Sequence, residues 1–272
     1  MKNKFFSIAV IAIILLAAIS FVGCTSKVSD NGKVFSTVEE RGYVVVGIDD
    51  TFAPMGFKND KNEIVGFDVD LANEVFKRLG LSVEFQVIDW SMKETELNSG
   101  NIDVIWNGYT ITNERKEKVA FTKPYLENKQ LIIALSSSKI ETKEDIKEKS
   151  VAAQNESSSV DAMNKEPEIV NSLKGGQPLT FDNNNEIFME LESGRIDAVV
   201  VDEILARYYM RERGINKYKV LEDNFGNEEY GVGVRKKDVE LLEKIDKTLE
   251  EMKVDGTCEE ISKKWFEVNL VK

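Results

Sequence analysis

Glu96-Leu97-Asn98-Ser99-Gly100-Asn101-Ile102-Asp103-Val104-Ile105 is a ten-residue segment, the repeated phrase, that occurs twice in this chain in similar form. It returns as Glu190-Leu191-Glu192-Ser193-Gly194-Arg195-Ile196-Asp197-Ala198-Val199, with six of the ten positions identical. Each copy predicts the last turn of a helix, a Gly that ends it and a short apolar strand. A Ser-Gly-x-Ile-Asp segment is by itself typical of any helix that stops before a strand. The length of the shared phrase favours two related α/β lobes.

The residues that follow each copy are where a ligand is expected. Ligands of open α/β sheets bind beyond the carboxyl ends of the strands. These ends are residues 106–110 after the first copy and residues 200–203 after the second. Between residues 43 and 105, apolar runs and amphipathic stretches alternate as strand, helix, strand, helix and strand, which predicts a parallel sheet.

Local signals predict where several elements begin. We expect Asp68 to be the N-cap of a helix that Gly80 ends, and Ser91 with Glu94 to form a capping box. Thr142 is expected to cap a helix that runs to residue 148. Residues 230–234 are expected to form the last strand.

The N-terminus has the pattern of a secretory signal. A basic start is followed by an apolar stretch, and Gly23-Cys24 comes just before polar residues. This segment resembles a bacterial lipoprotein lipobox, although Phe21 stands where Leu is usual. The resemblance implies a signal peptide over residues 1–23, a lipid on Cys24 and a tether over residues 24–36. The apolar stretch is also long enough for an uncleaved transmembrane anchor, which is the alternative.

Composition excludes several classes of function. The chain has a net charge of −12, which makes it a poor binder of nucleic acid. It contains no histidine and two cysteines, so we expect no metal site and no cofactor. Once Cys24 is lipidated, Cys258 has no partner for a disulfide. Catalysis by carboxylates or lysine remains open.

Five segments in the expected order resemble the family-3 solute-binding proteins of polar amino-acid ABC transporters. The match covers essentially residues 44–266 and departs at Phe76, where the family prefers a small residue. The segments are Gly66-Phe67-Asp68-Val69-Asp70-Leu71, Gly108-Tyr109-Thr110-Ile111-Thr112-Asn113-Glu114-Arg115, Phe121-Thr122-Lys123-Pro124-Tyr125, Asp197-Ala198-Val199-Val200-Val201-Asp202, and Gly256-Thr257 with Lys263-Lys264-Trp265-Phe266.

The resemblance implies a two-lobed, type II periplasmic-binding-protein-like α/β fold that closes on a ligand in the cleft between its lobes. Lobe 1 would comprise residues 37–126 and 230–272, and lobe 2 residues 127–229, with two hinge crossings. The implied protein is a monomeric extracytoplasmic receptor with no enzymatic activity. It would be anchored to the outer face of the cell membrane and deliver one L-amino acid to ABC permease subunits served by a separate ATPase.

The implied site holds an amino-acid zwitterion. Arg115 matches the family's clamp for the α-carboxylate, and Asp202 matches the group that receives the α-ammonium. The remaining contacts would come from Gly108, Thr110, Ser157 and Ser158, and two aromatic residues, Phe52 and Trp90, would sandwich the ligand side chain. Read without the resemblance, Arg115 is a solvated helix residue, Asp202 and the serines are helix caps, and the aromatics belong to the core.

The identity of the ligand depends on the distal end of the cleft. Candidates for that end are Asp49, Trp106, Asn107, Gln154, Asn155 and Glu156. The amides favour a neutral polar ligand such as glutamine or cystine, by a small margin. Arginine or lysine is the alternative if Asp49 or Glu156 is buried near the ligand. Two rivals have other functions, namely an enzyme similar to the periplasmic cyclohexadienyl dehydratase and a sensing module that acts through a separate partner.

Overall fold

The computed structural model describes residues 34–272, and for residues 34–36 it describes the backbone alone. The predicted signal peptide (1–23), Cys24 and most of the predicted tether (24–36) lie outside the described residues. Within 34–272, every helix is too short or too polar to cross a membrane.

The described elements alternate between helices and strands. In chain order the helices α1–α10 are Val34–Arg41, Phe67–Arg78, Lys93–Ser99, Asn113–Lys118, Ser158–Asn164, Pro167–Ser172, Asn184–Glu192, Glu203–Arg213, Val239–Val254 and Thr257–Phe266. The strands β1–β13 are Tyr43–Ile48, Thr51–Phe52, Gly56–Lys58, Ile64–Val65, Ser82–Val87, Val104–Ile105, Ala120–Phe121, Leu126–Leu135, Val151–Gln154, Leu179–Phe181, Ala198–Asp202, Tyr218–Tyr230 and Gly233–Val234. Short 3₁₀ turns span Trp90–Met92, Lys143–Ile146 and Ile215–Lys217.

Two five-stranded sheets have the same internal plan. Their orders are β5-β1-β6-β13-β7 and β10-β9-β11-β8-β12. In each sheet the first three strands are parallel, and the fourth is antiparallel to the third. The two related lobes that the repeated phrase predicted are therefore present. The parallel pairing predicted for residues 43–105 is confirmed in β5, β1 and β6, and an antiparallel strand, β13, joins this sheet from the far end of the chain.

The chain passes between the sheets along two neighbouring strands. After β7 it enters the second sheet through β8, and it leaves through β12 and returns to the first sheet as β13. Strands β8 and β12 are antiparallel partners, with Leu126 opposite Tyr230 and Leu135 opposite Tyr218. The two crossings are therefore one hydrogen-bonded pair. The exact lobe limits given above remain a prediction.

The repeated phrase adopts one conformation in both places. Gly100 and Gly194 have left-handed backbones, with φ of 86° and 73°, which a Cβ would strain. The amides of Asn101 and Arg195 then donate to the carbonyls of Glu96 and Glu190, at 3.0 and 3.1 Å. These bonds end each helix in the same way and direct the chain into its strand.

The aspartate that closes the phrase attaches each strand to its neighbour. Asp103 Oδ2 accepts from the Val45 amide at 2.9 Å, and Asp197 Oδ2 accepts from the Ser150 amide at 2.8 Å. The backbone amides of the two aspartates donate to the carbonyls of the same two residues, each at 2.8 Å. A carboxylate at this position therefore sets the register between strands in both sheets.

Two predicted helix starts are wrong. Helix α2 begins at Phe67 with Gly66 as its N-cap, and Asp68 is fully buried instead of capping it. The Ser91–Glu94 capping box does not form, because Asp89 accepts from the Ser91 amide and begins a 3₁₀ turn. In both cases a nearby residue serves as the cap.

Two other predictions of secondary structure are correct only in part. Thr142 does form a capping box, with Asp145, but it begins a 3₁₀ turn that ends at Ile146, short of residue 148. The expected strand over residues 230–234 is divided between the end of β12 and β13. The chain changes sheets at that point, so one continuous strand could not serve both.

The two aspartates provide a matched pair for a stability test. Asp103 is buried and also forms ion pairs with Arg41 and with the buried Arg235, whereas Asp197 is exposed. We expect Asp197→Ala to lower the free energy of unfolding by about 1 kcal/mol, the value of one hydrogen bond. Asp103→Ala should lower it by roughly 3–5 kcal/mol, because Arg235 then loses a buried partner. Urea unfolding followed by circular dichroism measures both, and equal losses would contradict this account.

Candidate functional site

The two sets of strand ends face each other across the interface between the sheets. Asp49 follows β1 of the first sheet, and Gln154 ends β9 of the second. The Gln154 amide donates to Asp49 Oδ2 at 2.5 Å, and the Tyr209 hydroxyl donates to the Thr51 carbonyl at 2.8 Å. Both hydrogen bonds join one lobe to the other. Carboxyl ends of strands from both sheets therefore meet at this interface.

Phe52 and Trp90 lie on the first-lobe side of this interface. Each is 7% exposed. Phe52 packs edge-on against Tyr230 and lies against Gly108, where an added Cβ would come within 2.4 Å of the ring. Trp90 is perpendicular to Tyr109, with ring centroids 5.8 Å apart. Both aromatics therefore have core contacts, and their role as ligand walls remains a prediction.

Arg115 is buried without a carboxylate partner among the described residues. Its guanidinium donates to the Thr110 carbonyl at 3.0 Å and to the Glu156 carbonyl at 3.3 Å, and it lies over the Tyr109 ring. The solvated alternative is wrong, since the residue is 4% exposed. Thr112 caps the short helix that carries it. A buried guanidinium held by neutral carbonyls retains the capacity to bind an anion.

A second buried cation, Lys93, contacts the same carbonyl. Its ammonium donates to the Glu156 carbonyl at 3.0 Å and to the Trp90 carbonyl at 3.1 Å. Burial, together with the nearby charge of Arg115, lowers the pKa of Lys93 to about 8. Glu156 itself has a left-handed backbone, with φ of 53°. Two cations of the first lobe thus converge on one carbonyl of the second.

Asp202 ends β11 and is 5% exposed. It is the N-cap residue of the helix that follows, as the alternative predicted, but its side chain makes no capping hydrogen bond. Asp202 Oδ1 instead accepts from the Asn128 amide and the Tyr230 hydroxyl, each at 2.6 Å. Both donors are neutral. The carboxylate therefore forms no ion pair within residues 34–272.

Glu228 is the centre of the hydrogen-bond network at the hinge. Its Oε1 accepts from Asn128 at 2.6 Å, from Gln130 at 2.7 Å and from the Thr110 hydroxyl at 3.0 Å. The Ser158 hydroxyl lies 3.0 Å from that of Thr110 and 3.4 Å from Glu228. The structure thus brings together Thr110 and Ser158, one from each lobe, on a carboxylate that sequence reasoning missed.

Ser157 is the N-cap residue of α5, yet its hydroxyl does not cap the helix. The Ser157 Oγ atom is buried and has no hydrogen-bond partner among the described residues. A buried hydroxyl without a partner is unfavourable unless something else bonds to it. This side chain is therefore available to a bound molecule.

At the distal end, Asp49 is 6% exposed and is held by neutral donors. Thr51 donates to its Oδ1 through both its amide and its hydroxyl, and Gln154 donates to its Oδ2. Burial raises the pKa of Asp49 above its ordinary value. Asn184 donates to Gln154 Oε1 at 3.1 Å and so fixes the direction of the Gln154 amide. Asp49 is thus another buried carboxylate that has no cationic partner among the described residues.

Asn107 and Trp106 are completely buried by contacts with other protein residues. Asn107 Oδ1 accepts from the Asp49 amide at 2.6 Å, and its amide nitrogen lies against Gly56. Asn107 therefore orients Asp49. Trp106 is completely buried between Phe76 and Tyr125, which makes it a core residue.

Gly108 is held by Asp68, the residue expected as a helix cap. Asp68 Oδ2 accepts from the Gly108 amide at 2.7 Å, and the Tyr125 hydroxyl donates to the same carboxylate at 2.9 Å. Burial raises the pKa of Asp68 to about 7, and these hydrogen bonds oppose the increase. One carboxylate therefore connects the first three segments quoted above.

Four residues of this site were missed, and a pattern was available for two of them. Asn128 and Gln130 are buried polar residues two apart on β8, which places both on one face of the strand. Polar residues on an inward face usually mark a network. Glu228 and Lys93 stand among other charged residues, and nothing in the sequence separates them from solvated ones.

The described residues contain no group of three or more His, Cys, Asp or Glu side chains arranged to hold a metal ion.

The sequence profile of the bacterial extracellular solute-binding proteins, family 3, matches residues 44–268. The chain belongs to this family. Among its relatives is the L-cystine-binding protein TcyJ of Escherichia coli (strain K12), which is 30% identical over 97% of this chain and 95% of its own length. The relatives are amino-acid-binding proteins and not enzymes.

Solved structures agree with this assignment. An ABC uptake transporter substrate-binding protein from Streptococcus pneumoniae with bound histidine has a TM-score of 0.85 and 38% identity, over 88% of this chain and 98% of that one. An ancestral arginine-binding protein bound to arginine has a TM-score of 0.77 and 44% identity, over 83% and 99%. The fold is therefore the two-lobed, type II amino-acid-binding fold.

Proposed function

We propose that this chain is an extracytoplasmic receptor that binds one L-amino acid between its lobes and delivers it to an ABC permease. The observation that carries the proposal is a pair of buried, opposite charges held by neutral groups. Arg115 contacts two carbonyls, and Asp202 contacts an amide and a hydroxyl. An α-amino acid carries one carboxylate and one ammonium, which are the partners that these two groups lack.

A chain of hydrogen bonds connects Arg115 to Asp202, an arrangement that fits a small zwitterion. Arg115 donates to the Thr110 carbonyl, and the Thr110 hydroxyl donates to Glu228, which shares the Asn128 amide with Asp202. The unpaired Ser157 hydroxyl is a further donor on the second-lobe side. Gly108, held by Asp68, brings backbone close to the same region. These contacts support the α-carboxylate on Arg115 and the α-ammonium on Asp202.

The side chain of the ligand is the finer part of the proposal. The amides of Asn107 and Gln154 favoured glutamine or cystine, but Gln154 Nε2 already donates to Asp49 and to the Asp182 carbonyl, and Asn107 Oδ1 already accepts from the Asp49 amide. Asn107 Nδ2 has no hydrogen-bond partner among the described residues. Asp49 gives a specific reason for arginine or lysine, because its buried carboxylate has no cation nearby. A cationic side chain would relieve the desolvation that raises the pKa of Asp49. We therefore favour arginine or lysine over glutamine or cystine as the ligand.

The same proposal includes the anchor and the partners. Lipidation of Cys24 would hold the receptor on the outer face of the cell membrane, as a monomer beside permease subunits whose ATPase is a separate protein. The relatives support amino-acid transport as the process. The dehydratase and sensor alternatives lack this support.

The first test addresses the zwitterion site. Arg115→Ala and Asp202→Ala should each raise the Kd for the ligand about a hundredfold, because each leaves one charge of the ligand buried without a partner. Calorimetry on the full-length protein in detergent measures the change. Arg207→Ala is the control, since Arg207 forms an exposed pair with Glu203. Wild-type affinity in either cleft variant would refute the assignment.

The second test identifies the ligand. Thermal unfolding of ligand-free protein is followed with each proteinogenic amino acid, ornithine, citrulline and cystine. A ligand at about a thousand times its Kd adds about 4 kcal/mol and should raise Tm by roughly 8–16 °C. We expect arginine or lysine to do this, and Asp49→Asn to weaken its binding about tenfold to a hundredfold. A shift with glutamine or cystine, unchanged in Asp49→Asn, would support the neutral ligand instead.

The third test concerns the anchor. Cys24→Ser should move the protein from the membrane fraction to the soluble fraction and leave ligand binding unchanged. Cys258→Ser is the matched control, because Cys258 is the other of the two cysteines and is buried. If Cys24→Ser stays in the membrane fraction, the uncleaved anchor is the better account.

A further inference from the structure

Asp202 and Glu228 share a single amide group. The Asn128 Nδ2 atom lies 2.6 Å from Asp202 Oδ1 and 2.6 Å from Glu228 Oε1. A primary amide has two hydrogens, so it can donate to both oxygens at once. The two carboxylates are consequently close neighbours.

Three adjacent strands of one sheet create this pair. Asn128 is on β8, Asp202 ends β11 and Glu228 is on β12, and β8 lies between the other two. The strands are joined by backbone ladders within the second lobe and the hinge. Of the donors to Glu228, only Thr110 belongs to the first lobe. The pair therefore does not depend on lobe closure.

No cation balances the pair within residues 34–272. The ion pairs of this part of the chain include neither carboxylate, and the donors to both are amides and hydroxyls. The charged and titratable groups of the surrounding elements are otherwise engaged or turned to solvent. Arg115 donates to the Thr110 carbonyl, Tyr125 donates to Asp68, and Tyr230 donates to Asp202 itself. Glu203 pairs with Arg207, Glu127 and Glu229 pair with Lys272, and Lys129 is exposed.

Two neighbouring carboxylates that lack a cation do not both ionise at neutral pH. Burial, together with the charge of Glu228, raises the pKa of Asp202 well above its ordinary value. A proton on Asp202 is therefore retained to a higher pH than on an exposed aspartate.

We propose that Asp202 and Glu228 together hold one proton in the ligand-free receptor, and that the α-ammonium of the amino acid displaces it to solvent. This inference rests on the proposed function, and it adds Glu228 to the ammonium site. The ammonium keeps its own three hydrogens and takes the place of the proton as the positive charge between the carboxylates. Each binding event would then release about one proton.

The affinity for the ligand should rise with pH. The pKa of Asp202 is raised without ligand and is lower with ligand, because a cation favours the ionised form. Protons are released in the pH window between those two values. Within it, affinity rises with pH by at most about tenfold per unit, and it becomes constant above the ligand-free pKa.

Calorimetry in two buffers tests the proposal on the full-length protein. L-arginine, or L-glutamine if the wild type binds that instead, is titrated at about pH 6 in phosphate and in Bis-Tris, which differ in ionisation enthalpy. Dividing the difference in observed enthalpy by the difference in buffer enthalpy counts the protons released. We expect about one proton for the wild type, fewer as the pH is raised, and fewer for Glu228→Gln, in which burial alone still raises the pKa of Asp202.

Glu229→Gln is the control. Glu229 is the next residue and pairs with Lys272, with its side chain 44% exposed, so this variant should release the same number of protons as the wild type. Equal enthalpies in the two buffers for the wild type would overturn the proposal, as would undiminished release from Glu228→Gln. The wild-type comparison remains decisive if Glu228→Gln fails to fold. If no amino acid binds the wild type, the proposed function itself fails and this inference falls with it.

Discussion

Pairing between β8 and β12 connects the two lobes and also shapes the site. The strands face each other from Leu126 opposite Tyr230 to Leu135 opposite Tyr218, with irregular register between. At the hinge end this ladder brings Asn128, Gln130 and Glu228 together and leads the chain back into the first sheet. If the register shifted by one residue, the side chains of one strand would turn to the opposite face. The polar network of the cleft would then be lost.

The cleft surrounds its charged side chains with neutral dipoles. Arg115 and Lys93 point at carbonyls, and Asp49, Asp202 and Glu228 receive amides and hydroxyls. Buried charges held in this way cost less than unsolvated ones, yet they remain attractive to opposite charges. A ligand with both signs gains from each. The same arrangement gives a neutral molecule little advantage.

The two wrong helix starts have different causes, since Asp89 lies only two residues before Ser91, whereas Asp68 bonds to distant residues. Asp68 and Ser91 both stand where a capping residue is expected, and in each case a neighbour took that place. The carboxylate of Asp68 instead found the Gly108 amide and the Tyr125 hydroxyl, forty and more residues away. Likewise, β13 joined the first sheet from the far end of the chain. Local patterns carry no information about such distant partners.

The sequence by itself determined the two lobes, because each copy of the repeated phrase encodes a helix end and a left-handed glycine through bonds between near neighbours. The motif order also pointed to Arg115, Asp202, Thr110 and Ser158. Tertiary structure alone decided that Asn107 orients Asp49, that Trp106 belongs to the core and that Glu228 joins Asp202. These roles depend on which side chains meet across strands far apart in sequence. Hydrophobic periodicity and capping rules describe only near neighbours.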